Sequence, residues 1–166
     1  MPVVIIKNEG YKRKEDLFNL ICYIAEGSEV VSGYGITLDS IDSVIREFEY
    51  VKRQWNKAEE GRRQARHFIV SFEKDEFPLN TIIEIAWRIG ALYGYRFQVF
   101  YGIHTETEHT HIHFALNTVS FMDGKMISEG PPDLEILKNN IMAILKLYKN
   151  EYRGGKYVNR NLQPKV

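Results

Sequence analysis

Residues 95–120 read YRFQVFYGIHTETEHTHIHFALNTVS. Tyr95–Ile103 is rich in aromatic and β-branched residues, and so is His109–Ser120, a composition that suits pleated, half-buried strands. The polar residues Thr105–Glu108 separate them, so the stretch predicts a hairpin. With those four residues as the loop, His104 faces His109, Gly102 faces His111 and Phe100 faces His113. Side chains alternate along a strand, which puts His109, His111 and His113 on one face. Gly102 offers no side chain there and leaves room above His111 for an ion or a phosphate.

The flanking sequence supplies the rest of a mixed fold. Val3–Lys7 and Ala65–Phe72 read as strands. Val30–Leu38, with Gly33 and Gly35, reads as a loop or poor strand. Arg13–Glu26 predicts a helix whose buried stripe is Leu17, Leu20, Ile21 and Ile24, ended by Gly27 and Ser28. A second helix starts at a cap on Asp39 or Ser40 and runs to about Lys57. Its stripe is Ile41, Val44, Ile45, Phe48, Val51 and Trp55. A third follows Pro78 and Asn80, with Ile82, Ile85, Ala86 and Ile89 inward. Pro131 and Pro132 open a fourth, striped by Leu134, Leu137, Ile141, Leu145 and Tyr148. Met122–Gly124 predicts a turn before a short returning strand at Lys125–Ser128. The expected class is α+β, a central antiparallel sheet carrying the histidine strand, with helices packed mainly on one face. Residues 1–153 make one domain, and residues 154–166 read as a flexible tail or the start of a linker.

Composition narrows the function. The chain has 166 residues, 44% apolar and 27% charged, ordinary for a globular protein. Its 22 basic and 22 acidic side chains cancel, which excludes a polycation wrapped in nucleic acid but not a local basic surface. Residues 52–66 hold six basic and two acidic side chains, and residues 133–166 hold seven and three. The single cysteine, Cys22, excludes a disulfide framework and a CxxC site. No apolar run approaches the roughly 18 residues of a membrane span, and the amino end lacks a long secretory stretch.

The histidines carry the chemistry. Four of five lie within ten residues, at 104, 109, 111 and 113. Clustered imidazoles must bind something or leave polar nitrogens unsatisfied. Neutral imidazoles are common nitrogen ligands of divalent transition metals. Two from alternating strand positions and one from a neighbouring strand would hold an ion with positions open for a substrate oxygen.

The block HTETEHTHIHFALN, His104–Asn117, resembles the metal-binding motif of the relaxase, or mobilisation nuclease, family. That pattern is His-x-Asp-Thr-x-His-x-His-x-His, then three apolar residues and Asn. Glu106 stands where the family has Asp and keeps the charge. Leu20-Ile21-Cys22-Tyr23-Ile24 is similar to the family's nucleophile segment, and Arg66–Phe72 to its middle block. The resemblance spans roughly residues 3–150. It implies a histidine-hydrophobic-histidine endonuclease on a compact, palm- or ferredoxin-like antiparallel sheet. Such enzymes nick single-stranded DNA at an origin of transfer, stay joined to its 5′ end through a tyrosine, and later religate it.

The resemblance also implies roles. Tyr23 is the nucleophile, with Tyr11 and Tyr34 as nearby competitors. His104, His111 and His113 are the metal ligands, with His109 as a proton shuttle or alternative ligand. Glu106 or Glu108 orients an imidazole. Asn117, in phase with the ligands, holds a histidine or a phosphate. Manganese or magnesium is the expected ion, and zinc, nickel or cobalt suits the same nitrogens. Lys52, Arg53, Lys57, Arg62, Arg63 and Arg66 are expected to grip DNA phosphates. His67 is left between a structural role and DNA contact. The expected partners are origin DNA, relaxosome accessory proteins and a coupling protein, in the bacterial cytoplasm and without a membrane. Three rivals stand beside this reading. A single-tyrosine transposase or replication initiator of the same superfamily would use Tyr148 or Tyr152. A histidine-triad nucleotide hydrolase would use His109, His111 and His113. A DNA-binding or partner module would keep the fold without catalysis.

Overall fold

The central hairpin forms as strands β4 (Val99–His104) and β5 (Thr110–Asn117) in a computed structural model that describes residues 2–153. Their register differs from the expected one by two residues. His104 pairs with His111, Gly102 with His113 and Phe100 with Ala115. The loop runs to His109 because its polar side chains are satisfied locally: Thr107 Oγ1 donates to the His109 carbonyl at 2.6 Å and Thr105 Oγ1 to Glu29 Oε2 at 2.7 Å. A shift of two preserves side-chain parity, so the face assignment survives for His111 and His113, while His109, expected beside them, lies in the loop.

Strands β1 (Val3–Ile6), β2 (Val30–Tyr34) and β3 (Ala65–Phe72) complete a five-stranded antiparallel sheet in the order β1-β3-β5-β4-β2. The segment read as a poor strand is thus an edge strand against β4. The helices are α1 (Lys14–Glu26), α2 (Ile41–Gln54), α3 (Leu79–Gly94) and α4 (Pro131–Arg153). The α+β class and the antiparallel sheet are as expected. The helices, however, divide between the two faces instead of lying mainly on one. The cause lies in the central strands, which carry apolar side chains to both faces, mostly large on one and mixed with small or polar ones on the other.

On one face Phe68, Val70, Tyr101, Ile103, Ile112, Phe114 and Leu116 pack under α3 and α4. Phe68 and Phe114 stack with centroids 4.7 Å apart. On the other, Ala65, Phe100 and Ala115 meet Leu17, Leu20, Ile21 and Ile24 of α1 and Val44 and Phe48 of α2. Each large side chain so buried contributes about 1.5–3 kcal/mol. Small residues on the second face let α1 lie close to the sheet, at the end where the histidines stand. Ser40 caps α2, its Oγ accepting from the Ser43 amide at 3.0 Å. Trp55, expected in that helix's core stripe, follows the last turn and is 40% exposed. The expected returning strand is a single bridge, Val119 with Met126. Among the described residues no helix is long and apolar enough to cross a membrane. The expected tail at 154–166 lies outside the described residues.

Candidate active site

The parity of β4 and β5 gathers His104, His111 and His113 on the α1 face, at the loop end of the hairpin. The His104 and His113 rings have centroids 4.3 Å apart, and those of His111 and His113 are 6.0 Å apart. His113 is buried, while His104 and His111 are half-buried.

Helix α1 brings Tyr23 to this cluster. Leu20, Ile21 and Ile24 are buried beneath it, so Tyr23 projects from the helix flank and is 54% exposed. Its ring stands edge-on to His104 at 5.5 Å and to His113 at 5.2 Å. Gly102 makes this approach possible. A Cβ there would collide with Ser28 Oγ and come within 2.9 Å of Ile24 Cγ2. The space over Gly102, read from the sequence as room for an ion or phosphate, is therefore filled by the end of α1. Gly27 plays a similar part beside His104, whose Cε1 a Cβ would approach to 2.8 Å. His104 Nε2 lies 2.9 Å from the Ile24 carbonyl. As donor to that oxygen it leaves Nδ1 with the lone pair.

Behind His113 lies His67, also buried, on β3. His67 Nε2 is 3.3 Å from His113 Nδ1, and His67 Nδ1 is 2.9 Å from Tyr11 Oη. Burial is the main reason that His113 is pushed down to about 3, reinforced by His104 and His67. Burial likewise pushes His67 down to about 4, with Lys7 adding to the effect. His111 is lowered by burial and by its histidine neighbours His109 and His104. These three rings are neutral at pH 7 and keep lone pairs. Burial and Glu9 push the Tyr11 phenol up to about 12. A cleft of about 540 Å³ runs beside this row, lined by Lys7, Tyr11, Asp16, Asn19, Tyr23 and His67 among others.

Other expected site residues fall elsewhere. His109 is exposed in the hairpin loop, its ring 6.4 Å from that of His111. Glu106 is exposed in the same loop. Asn117 lies roughly 13 Å along β5 from His113, at about 3.3 Å per residue. It is fully buried, and its Nδ2 donates to the Phe48 carbonyl at 3.1 Å and to Gln98 Oε1 at 2.9 Å. Asn117 therefore clips the far end of the hairpin to α2 and holds neither a histidine nor a phosphate.

Two of the six basic residues are not surface groups. Lys52 is 1% exposed and donates to Gln64 Oε1 at 3.0 Å, and burial pushes its ammonium down to about 8. Arg66 is 3% exposed and turned to the opposite sheet face, 3.6 Å from Glu129. Burial against the strands, which charge counting does not register, withdraws both from DNA. Lys57 donates to the Gly124 carbonyl, and Arg63 holds Glu129 at 3.0 Å and the Glu9 carbonyl. Arg53 and Arg62 are exposed, the latter 2.6 Å from Glu59.

The competing tyrosines are also placed. Tyr34 donates to the Trp87 carbonyl at 2.7 Å on the α3 face. Tyr148 is 7% exposed within the core of that same face, under the Arg88 guanidinium at 5.3 Å. It cannot reach the histidines through the sheet. The side chain of Tyr152 lies outside the described residues. Sequence reading missed Lys7, named Tyr11 only as a competing nucleophile and not as the partner of His67, and left His67 undecided. The one available signal was parity, which sets His67 on the histidine face two positions from Ile69, the partner of His113.

The donor set suits a divalent cation in kind: close imidazoles, one of them already bonded through its second nitrogen as ligating histidines commonly are. Among the described residues, no three His, Cys, Asp or Glu side chains are already gathered into a metal-binding group. Comparison with curated proteins and with solved structures gives no match. The family described as relaxase, MobA/VirD2-like, nuclease domain matches residues 18–149 of 166, a span that takes in Tyr23, His67 and the whole histidine block. With that match covering most of the chain, and with the antiparallel α+β fold above, this protein belongs to the relaxase family.

Proposed function

We propose that this domain nicks single-stranded DNA at an origin of transfer by attack of Tyr23 and can religate it. The observation that carries the reading is the edge-on seating of the half-exposed Tyr23 ring against His104 and His113. Membership of a family of mobilisation nucleases supports the reaction class.

In the proposed step Tyr23 Oη attacks the scissile phosphorus in line and the P–O3′ bond breaks. The phenol proton is lost and the departing 3′ oxygen gains one, so the products are a 5′-phosphotyrosine and a 3′-hydroxyl. One phosphodiester replaces another, so a new 3′-hydroxyl can reverse the step without ATP. His104, His111 and His113 would hold a divalent cation, manganese or magnesium, which when bound offsets charge on a non-bridging oxygen. Helix α1 supplies orientation, because the buried Leu20, Ile21 and Ile24 fix the helix that carries Tyr23 beside the histidines. Lys7 in the cleft and the exposed Arg53 and Arg62 are candidates for backbone phosphates. Aromatic rings beside the cleft suit unpaired bases better than duplex.

The test is a denaturing gel of protein, manganese and a labelled origin oligonucleotide. Wild type is expected to give a slow covalent band that Tyr23→Phe loses while still binding DNA. A band that survives Tyr23→Phe would overturn the assignment.

A further inference from the structure

We infer that His67, backed by Tyr11, is a positioning residue that fixes which nitrogen of His113 carries the proton. The inference rests on the proposed metal-assisted reading for its purpose, but not for its geometry. His67 Nε2 meets His113 Nδ1 at 3.3 Å, and Tyr11 Oη meets His67 Nδ1 at 2.9 Å. The His67 and His113 rings lie 28° from parallel with centroids 5.6 Å apart, so the two nitrogens face each other edge to edge, nearly along the line of ring centres. His67 is 3% exposed and sits on β3 opposite Ala115, diagonal to His113, so strand pairing fixes its place.

Two neutral imidazoles joined nitrogen to nitrogen have only two ways to share their protons. In one, His113 Nδ1–H donates to His67 Nε2, and His67 Nδ1–H donates to Tyr11 Oη. His113 then turns a lone pair on Nε2 away from β3. In the other, the Tyr11 hydroxyl donates to His67 Nδ1, His67 Nε2–H donates to His113 Nδ1, and His113 Nε2 carries a proton that blocks ligation. Only the first arrangement suits a cation ligand. It makes His67 the acceptor that a ligating histidine needs behind it, a place filled elsewhere by a carboxylate or a carbonyl.

Tyr11 is held for this contact. Its backbone is in the left-handed region at φ 41°, sparsely populated for a residue with a side chain. Its carbonyl accepts from the Gln64 amide at 2.8 Å. The tyrosine also lines the cleft beside Tyr23. A strand of DNA in that cleft therefore touches the far end of the same proton-ordered row that ends at the ligand.

The experiment reads the tautomer directly. Long-range ¹⁵N–¹H spectra of the metal-free domain near pH 7.5 should show His113 protonated at Nδ1. His67→Phe should move His113 toward the Nε2–H form. Calorimetry with manganese should show a drop of about 10–100-fold in affinity, the usual cost of losing such a partner. His67→Gln, whose amide oxygen can accept from Nδ1–H, should recover most of it. Tyr11→Phe, a milder change at a half-buried site, should shift the His67 nitrogen signals and weaken manganese binding in the same direction. It keeps the question open to test if His67→Phe fails to fold. An Nε2–H tautomer for His113 in wild type overturns the inference, as does unchanged affinity in both variants. A wild type that binds no manganese would refute the metal site, and the tautomer spectrum would still decide the role of His67.

Discussion

A buried histidine is tolerated when it stays neutral, and that gives two of these rings a pH signature. His67 is held down to about 4 and His113 to about 3, chiefly by burial. In the unfolded chain each titrates near 6.5. Between those values the unfolded state binds more protons than the folded one, so stability rises with pH through the window. The metal-free domain should hold full stability above about pH 6.5 and lose it as pH falls toward 4. The slope is at most about 1.4 kcal/mol per pH unit for each ring. Urea midpoints at pH 7.5, 6 and 5 test this, and equal midpoints would contradict it. Much at this scale was legible in the sequence. Alternation along β5 put His111 and His113 on one face, and helical phase left Tyr23 well off the buried Leu17, Leu20, Ile21 and Ile24 stripe of α1. His67 was not assigned, because a lone histidine in the strand ARHFIVSF looks the same whether it contacts core, DNA or another histidine.

Helix α1 must lie close to the sheet for Tyr23 to meet the histidines, and Gly102 sets that distance. Gly102→Val adds branched bulk where even a Cβ would meet Ser28 Oγ and Ile24 Cγ2. The strand is pinned by partners on both sides, so α1 is the element that has to move. A displacement near 1 Å at a reacting group can cost about 100-fold in rate. Single-turnover nicking by Gly102→Val should therefore fall by roughly 10–100-fold, with circular dichroism still native and stability lower by about 1–3 kcal/mol. Wild-type nicking would show that α1 does not set the geometry. The sequence marked Gly102 as a missing side chain but not what fills the gap, since periodicity places residues on an element and says little about where that element docks. The hairpin register was missed for a related reason. The polar run after His104 contains neither Gly nor Pro, so loop length depended on Thr105 reaching Glu29 and Thr107 reaching the His109 carbonyl.

Across the whole molecule, charge is arranged differently from its order along the chain. The net charge is zero, and the basic stretch at 52–66 leads into the end of β3 that pairs with Asn117, away from His111. Within it Lys52 and Arg66 are buried, while Lys57 and Arg63 are tied to carbonyl or carboxylate oxygens. Counting charges could not reveal this, because burial of a basic side chain depends on what the strands and helices bring beside it. Lys7 came from an unremarkable strand end, yet it lines the cleft beside Tyr23. The two lysines should therefore behave oppositely. In a Tyr23→Phe background, which prevents covalent trapping, Lys7→Gln should weaken binding of a labelled single strand. It should also lower the slope of log affinity against log salt by roughly 0.7, the value for one lost phosphate contact on a single strand. Lys52→Met keeps the buried length and removes an ammonium that sees Gln64 and Glu49 but not solvent. It should change the unfolding midpoint and leave the salt slope as it was. Fluorescence anisotropy over a range of salt concentrations measures both slopes. If Lys7→Gln leaves the slope unchanged, the DNA does not run along the cleft beside Tyr23.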